Sequence, residues 1–340
     1  MQARSAPATL SSRAAPAFVV PAAAAARAEA PRQFVLQAQG EGAAHILEIT
    51  WVLLIGGGLI FVVVMALGLF ALFGRPQGKA WLARRGWLIG AGIAFPLVVL
   101  TALLVYTFNV AAQMQRANAQ PAATRIQVTG EMWWWRVRYL APDGAVLLET
   151  ANELRIPVGE AVDLELVSHE VVHSFWVPSL AGKLDMLPGT TNRLRLRATE
   201  AGVYRGQCAE YCGTQHARMA LHVVAHSPPE HATWLEVGRR SAPPPGTPLE
   251  RQGRALFEQA RCGVCHTVRG TTSEGRIGPD LTHVGSRLTL AAGTLPNGGG
   301  PLAAWIADPQ HIKPGSRMPG YRRFTGEDLR ALSAYLEGLR

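Results

Sequence analysis

Two long apolar runs near the N-terminus set the first limit on what this chain can fold into. The first, Ile46 to Phe73, reads ILEITWVLLIGGGLIFVVVMALGLFALF, and the second, Trp87 to Val110, reads WLIGAGIAFPLVVLTALLVYTFNV. Each is longer than the roughly 20 residues that carry a helix across a hydrocarbon core of about 30 Å. Soluble helices seldom stay apolar on every face for so long, so both are expected to span a membrane. The connecting segment GRPQGKAWLARRG holds Arg75, Lys79, Arg84 and Arg85 and no acid. Basic loops stay on the cytoplasmic side, which puts both termini and everything after Ala111 on the outer, periplasmic face.

The remaining sequence changes character in steps. Residues 1–45 are rich in Ala, Pro and Ser and read as a disordered tail or a processed leader; Arg13 and the small residues near Ala28 suit a leader, while Pro21 interrupts its apolar run. The two-helix hairpin occupies 46–112. Residues 123–226 carry short β-rich runs, among them WWWRVRY, AVDLELVS and NRLRLRA, separated by Pro142-Asp143-Gly144, Pro157-Val158-Gly159 and Pro188-Gly189, which predicts a β-barrel or sandwich. Two proline clusters in 227–249 predict a linker, with a short helix around Trp234 to Gly238. In 250–340, Leu256, Phe257 and Ala260 lie at helical spacing. Leu329, Leu332, Leu336 and Leu339 form the apolar stripe of a closing helix, so this part is expected to be all-α. The chain is thus multidomain, and its net charge of +9 is scattered rather than gathered into the basic, aromatic-interleaved surface that nucleic acid requires.

Four cysteines fall into two close pairs, Cys208 with Cys212 and Cys262 with Cys265. Bridges across such short loops would constrain little of the unfolded chain, so metal or cofactor chemistry is the better expectation. In Cys208-Ala-Glu210-Tyr-Cys212-Gly-Thr-Gln-His216-Ala-Arg-Met219, two thiolates, an imidazole and a thioether make a soft donor set that selects copper over hard cations. Zinc is the rival, but structural zinc prefers four Cys or His ligands. A further histidine is available at His173, in VVHSFWVP.

These two stretches, with the hairpin and Trp133-Trp134-Trp135, resemble the copper A domain of cytochrome c oxidase subunit II. The resemblance covers roughly residues 45–225. It implies a cupredoxin-like barrel in which Cys208 and Cys212 bridge two coppers, His173 and His216 each cap one, and Met219 and the backbone carbonyl of Glu210 complete the set. It also implies that the Glu210 side chain reaches a magnesium or manganese ion at the contact with subunit I. Trp133 would be the point of electron entry, and Asp185 an acid near the subunit interface. Many family members carry a glutamate at the start of the second membrane helix that feeds a proton path; here that stretch, Arg84-Arg85-Gly86-Trp87, has none, and Glu48 lies at the other end of the first helix. His169, His222, His226 and His231 have no ligand partner in the sequence and are expected to be structural or solvated.

Cys262-Gly-Val-Cys265-His266 is the signature of covalently attached haem c, with His266 as one axial ligand of the iron. Met318 is the one methionine after the copper motif and the expected second axial ligand, with His283 and His311 as competing candidates. This part is similar to class I cytochromes c, with Gly278-Pro279 in the loop that packs on the haem. A subunit II carrying its own cytochrome c resembles the caa3-type oxidases.

The resemblance implies the electron-entry subunit of an aerobic respiratory oxidase, an oxidoreductase and translocase. Electrons would come from an exported donor such as a soluble cytochrome c, pass through haem c and copper A to haem a in subunit I, and reduce dioxygen there with proton translocation. Subunit III is a further expected partner. The alternatives are the equivalent subunit of a copper-A nitric oxide reductase and a free-standing membrane electron carrier. The linker would keep the haem at high effective concentration near Trp133, and weak attraction between a near-neutral middle and a basic end would favour docking.

Overall fold

A computed structural model describes residues 33–117 and 122–340. The leader or tail expected over 1–45 lies, for residues 1–32, outside the described residues. Helix α1, Glu41–Phe73, begins five residues ahead of the expected start, and the reason is local. The first N–H groups of a helix need acceptors from outside it, and here the β-domain supplies them. Gln39 N donates to Ser179 O (2.7 Å), Glu41 N to Arg197 O (3.2 Å) and Ala43 N to Leu180 O (3.1 Å). Gly40 lies so close to Leu180 that a Cβ there would sit 2.3 Å from its carbonyl oxygen.

After a short helix α2, Pro76–Leu82, the chain re-enters through α3, Arg85–Ile89, one π-helical turn at Gly90–Ala94, and α4, Phe95–Ala117. Both long helices are apolar enough and long enough to cross a membrane, and side chains such as Leu59, Phe73 and Phe108 stand exposed around them, as lipid-facing surface requires. Tyr106 on α4 donates to Glu48 on α1 at 2.9 Å, a polar clasp between the two helices.

The β-domain is two five-stranded sheets. The first orders β3 (Val146–Ala151), β2 (Trp134–Leu140), β1 (Thr124–Glu131), β5 (Val162–Ser168) and β8 (Asn192–Leu196). The second orders β4 (Glu153–Pro157), β10 (Ala220–His226), β9 (Gly202–Cys208), β6 (His173–Trp176) and β7 (Leu184–Met186). In β5, Val162, Leu164 and Leu166 alternate inward, beside Trp135 and Tyr139 of the same sheet and opposite Ile156 and Tyr204 of the other.

The 227–249 segment departs from the expected tether. Helix α5 runs Pro228–Gly238, longer than the predicted Trp234–Gly238, because Ser227 and Glu230 form a capping box and Pro occupies the first turn. It lies against the β-domain: the Trp234 ring is 5.2 Å from that of Tyr139, the Arg155 guanidinium sits 5.4 Å over Trp234, and His231 Nε2 is 3.2 Å from Arg155 O. A second capping box, Thr247 with Glu250, opens α6, Pro248–Gln259.

The C-terminal part adds α7 (Gly299–Ala307), α8 (Pro309–Ile312) and α9 (Gly326–Gly338). It is helical but not purely so, since Thr267–Val268 pairs with Ser273–Glu274 and Thr289–Leu290 with Leu295–Pro296. Helix α6 crosses α9 at Gly253, where a Cβ would meet Ala331 O at 2.0 Å, and Phe257, Leu332, Tyr335 and Leu336 fill the core beside that crossing.

Candidate metal and haem centres

Strand order assembles the soft donors. β6 pairs with β9 so that Phe175 lies opposite Cys208, which sets His173, at the start of β6, beside the cysteine that ends β9. The loop from Cys208 then turns through a 3-10 turn at His216–Arg218 and returns at Met219 into β10, closed by Cys208 N donating to Met219 O at 2.9 Å. Cys208 Sγ lies 3.7 Å from Cys212 Sγ, 3.8 Å from His173 Nδ1 and 3.2 Å from the carbonyl of Glu210. Cys212 Sγ lies 3.7 Å from His216 Nδ1 and 3.9 Å from Met219 Sδ.

The two sulfurs are far beyond the ~2.05 Å of a disulfide, so both are free thiols in one cluster. They compete for protons. Hydrogen bonding to Cys212 and to His173, working against burial, draws the Cys208 thiol down to about 3, and the thiolate so formed pushes Cys212 well above its usual value. Both sulfurs would serve a soft cation as thiolates. His173 and Met219 are fully buried, and Trp135 stands against the His173 ring at 6.1 Å. Gly130 leaves room for that ring: a Cβ would approach it to 2.6 Å. His173, Cys208 and Cys212 bring their donor atoms within 4.8 Å of one another. The set fits copper: its sulfurs and His173 are soft and buried, with His216 partly exposed.

Beside this cluster, Glu210 and Asp185 both approach Lys183, at 3.7 and 3.1 Å. Trp133 is 7% exposed, and its indole N–H donates to Cys212 O at 2.7 Å.

The second site is a cavity bounded by Cys262, Cys265, His266 and Met318 on the C-terminal side and by Met132, Trp133 and Trp134 on the β-domain side. His266 Nδ1 lies 2.8 Å from Pro279 O, which makes Nδ1 the donor and leaves Nε2 with a lone pair for iron. Burial pulls His266 below the ordinary imidazole value and keeps it neutral. Gly278 packs on the ring so tightly that a Cβ would lie 2.5 Å from it. The residues fit a covalently held haem. His283 instead faces Arg240 O at 3.2 Å, His311 is exposed, and neither borders the cavity.

Several residues at the junction carried no sequence signal. Gln215 Nε2 donates to Pro314 O at 2.7 Å, Arg218 donates to Ile312 O, and Ala220 N to Ala292 O at 3.0 Å. The Arg136 guanidinium, buried and paired with Glu131 and Glu149, also donates to Arg276 O at 2.8 Å. Most of these contacts are hydrogen bonds onto backbone carbonyls; Leu288 N also donates to the Glu153 carboxylate at 2.8 Å, and an exposed ion pair, Arg317 with Glu170, crosses as well. His222 and His231 are buried, each below its ordinary pKa first through burial, and His169 is exposed beside Glu131.

A thiolate-imidazole-thioether cluster in a β-sandwich, a CxxCH cavity and a membrane hairpin define a membrane-anchored electron-transfer protein. Comparison narrows this. Residues 124–226 match the family model for cytochrome C oxidase subunit II, periplasmic domain, and residues 251–340 that for cytochrome c. Cytochrome c oxidase subunit 2 of Alkalihalophilus pseudofirmus is 39% identical over 249 residues, 72% of this chain and 71% of that protein. The subunit 2 of Bacillus subtilis is 31% identical over 72% of this chain and 71% of that one. The periplasmic domain of subunit II of cytochrome oxidase of Bradyrhizobium japonicum is 28% identical, covering 35% of this chain and 96% of that chain, with a TM-score of 0.33. The chain belongs to the cytochrome c oxidase subunit 2 family and carries a cytochrome c domain at its C-terminal end. Copper and haem binding follow from the family, as does membership of an oxidoreductase in which a subunit II works beside a subunit I.

Proposed function

We propose that this chain is the electron-entry subunit of an aerobic, caa3-type cytochrome c oxidase. Cys208, Cys212, His173, His216, Met219 and the Glu210 carbonyl would hold a binuclear copper centre; Cys262 and Cys265 would bind haem c covalently, with His266 and Met318 as axial ligands. When bound, the haem and the coppers supply the one-electron carriers that link an exported donor, such as a soluble cytochrome c, to haem a of subunit I, where dioxygen reduction is coupled to proton translocation. The residues of this chain would hold those carriers, with Trp133 lying between the two sites. The observation that carries the reading is Trp133, which borders the haem cavity on one side and hydrogen-bonds the Cys212 carbonyl on the other.

The half-exposed Glu210 side chain would take magnesium or manganese at the subunit I face, with Asp185 nearby and Lys183 as the cation it displaces. Subunit III completes the proposed assembly. The basic loop between the membrane helices would lie inside, and the termini and both soluble domains outside.

The test is to purify the tagged full-length chain from native membranes and record its partners and spectra. A haem a-containing subunit should co-purify, and Cys212→Ser should abolish the dinuclear copper signal while keeping haem c. A preparation without haem a, or a Cys212→Ser protein that retains the signal, would sink the reading.

A further inference from the structure

The contact between the haem and copper parts has one component that neither centre requires. Lys313 lies in the loop between α8 and Met318, and only 3% of it is exposed. Its ammonium donates to Trp133 O at 2.7 Å, to Arg218 O at 2.8 Å and to Ala291 O at 3.1 Å. An ammonium has three N–H donors, and all three are spent on carbonyls. Those carbonyls come from three places: the β1–β2 turn, the copper-ligand loop and the haem part itself.

Burying a cation without a carboxylate partner is costly, and the cost is offset only when the acceptors are fixed in place. Burial works against the charge and draws the group below its ordinary value. A solvated surface lysine would do none of this. The neighbours of Lys313 are gripped as well: Arg218 donates to Ile312 O, and Gln215 Nε2 donates to Pro314 O at 2.7 Å. Three consecutive residues are therefore held by the segment Gln215–Arg218, which carries His216 and immediately precedes Met219. Five residues beyond Lys313 comes Met318. At Gly315 the backbone takes a left-handed turn, φ +83°, beside the Trp133 ring.

We propose that Lys313 is a positioning residue that pins the Met318 loop to the copper-ligand loop and so fixes the haem part in one docked geometry. The proposal rests on the electron-entry reading for its effect on rate, but not for the contact itself. The lysine borders the cavity beside Met318 and acts through the carbonyls of Trp133 and Arg218.

The experiment compares the complete oxidase with its Lys313→Met and Lys313→Arg forms by amide hydrogen exchange and by the rate of haem c to copper electron transfer. The amides to follow are Ala220, which donates to Ala292 O, and Leu288, which donates to the Glu153 carboxylate, because both bonds cross the junction. In Lys313→Met these should exchange about tenfold faster or more, as expected when charge-assisted bonds at a contact are lost. Val128 and Val137 in the sandwich core should keep their protection, and Lys313→Arg should restore part of what is lost. Unchanged exchange at Ala220 and Leu288 overturns the proposal, as does equal acceleration in the core, which would mark a general loss of folding. If Lys313→Met fails to retain haem, Lys313→Gln is read against the same two outcomes. Faster exchange with an unchanged transfer rate would uphold the pin and overturn the route that the electron-entry reading assigns.

Discussion

The indole N–H of Trp133 donates to the carbonyl oxygen of Cys212 across 2.7 Å, so a side chain in the wall of the proposed haem cavity is bonded to the backbone of a cysteine of the proposed copper site. The expected consequence of Trp133→Phe is a slower reduction of the copper centre by haem c, with both visible spectra intact. A fall of roughly tenfold corresponds to about 1.4 kcal/mol of activation free energy, the order of one buried hydrogen bond. Laser-triggered reduction of the haem measures it, and an unaltered rate would remove Trp133 from the route.

Gly278→Ala places a methyl group against the His266 ring, where 2.5 Å is available. The ring must move or the loop must open, at a cost of about 1–3 kcal/mol. The methionine–iron charge-transfer band should weaken and the haem potential shift, while the copper signal stays unchanged. Optical redox titration reports both, and a wild-type potential would show that the loop absorbs the methyl group freely.

Transfer from haem to copper should be nearly insensitive to ionic strength. Carbonyl acceptors dominate the hydrogen bonds named at the junction, and the exposed Arg317–Glu170 pair contributes little. Between about 0.01 M and about 1 M salt the screening length falls from roughly 30 Å to roughly 3 Å. A steep decline over that range would mean that long-range attraction, and not the bonded contact, holds the parts together.

Acid should loosen α5 from the β-domain. Burial holds His231 below 6.5, its ordinary value. The unfolded chain then binds the proton more readily than the folded one, so the stability is present above about 6.5 and is lost as the pH falls through the lowered value. Trp234, whose ring is 6.0 Å from that of His231, reports the change by fluorescence. His231→Gln should flatten the acid limb; an identical limb in that variant would assign the effect elsewhere.

Much of this architecture could be read from local sequence. The membrane helices announce themselves by length and apolarity, Cys262-Gly-Val-Cys265-His266 by spacing, and β5 by its alternation. His173 is different: it lies far from Cys208 in sequence, and the β6–β9 ladder joins them, so only resemblance to a known motif could pair the two beforehand. Lys313 was illegible for a physical reason. In a Gly- and Pro-rich loop a lysine reads as solvated, and nothing within a few residues reveals that carbonyls at 133 and 218 will close over it. The length of α5 was legible but missed, since Ser227-Pro-Pro-Glu230 is a capping box in plain sight.

The bonds from Gln39, Glu41 and Ala43 to the β-domain give α1 a consequence beyond anchoring. Its first turn is bonded directly to the sandwich, so the helix works as an axle whose length sets an angle as well as a height. One residue inserted midway along it would lift the soluble head by about 1.5 Å and turn it by about 100° relative to the lower half of the helix. The residue count of α1 is thus under constraint from the azimuth at which the head meets its neighbours in the membrane, and a deletion that still spans the lipid would nevertheless point the copper loop the wrong way.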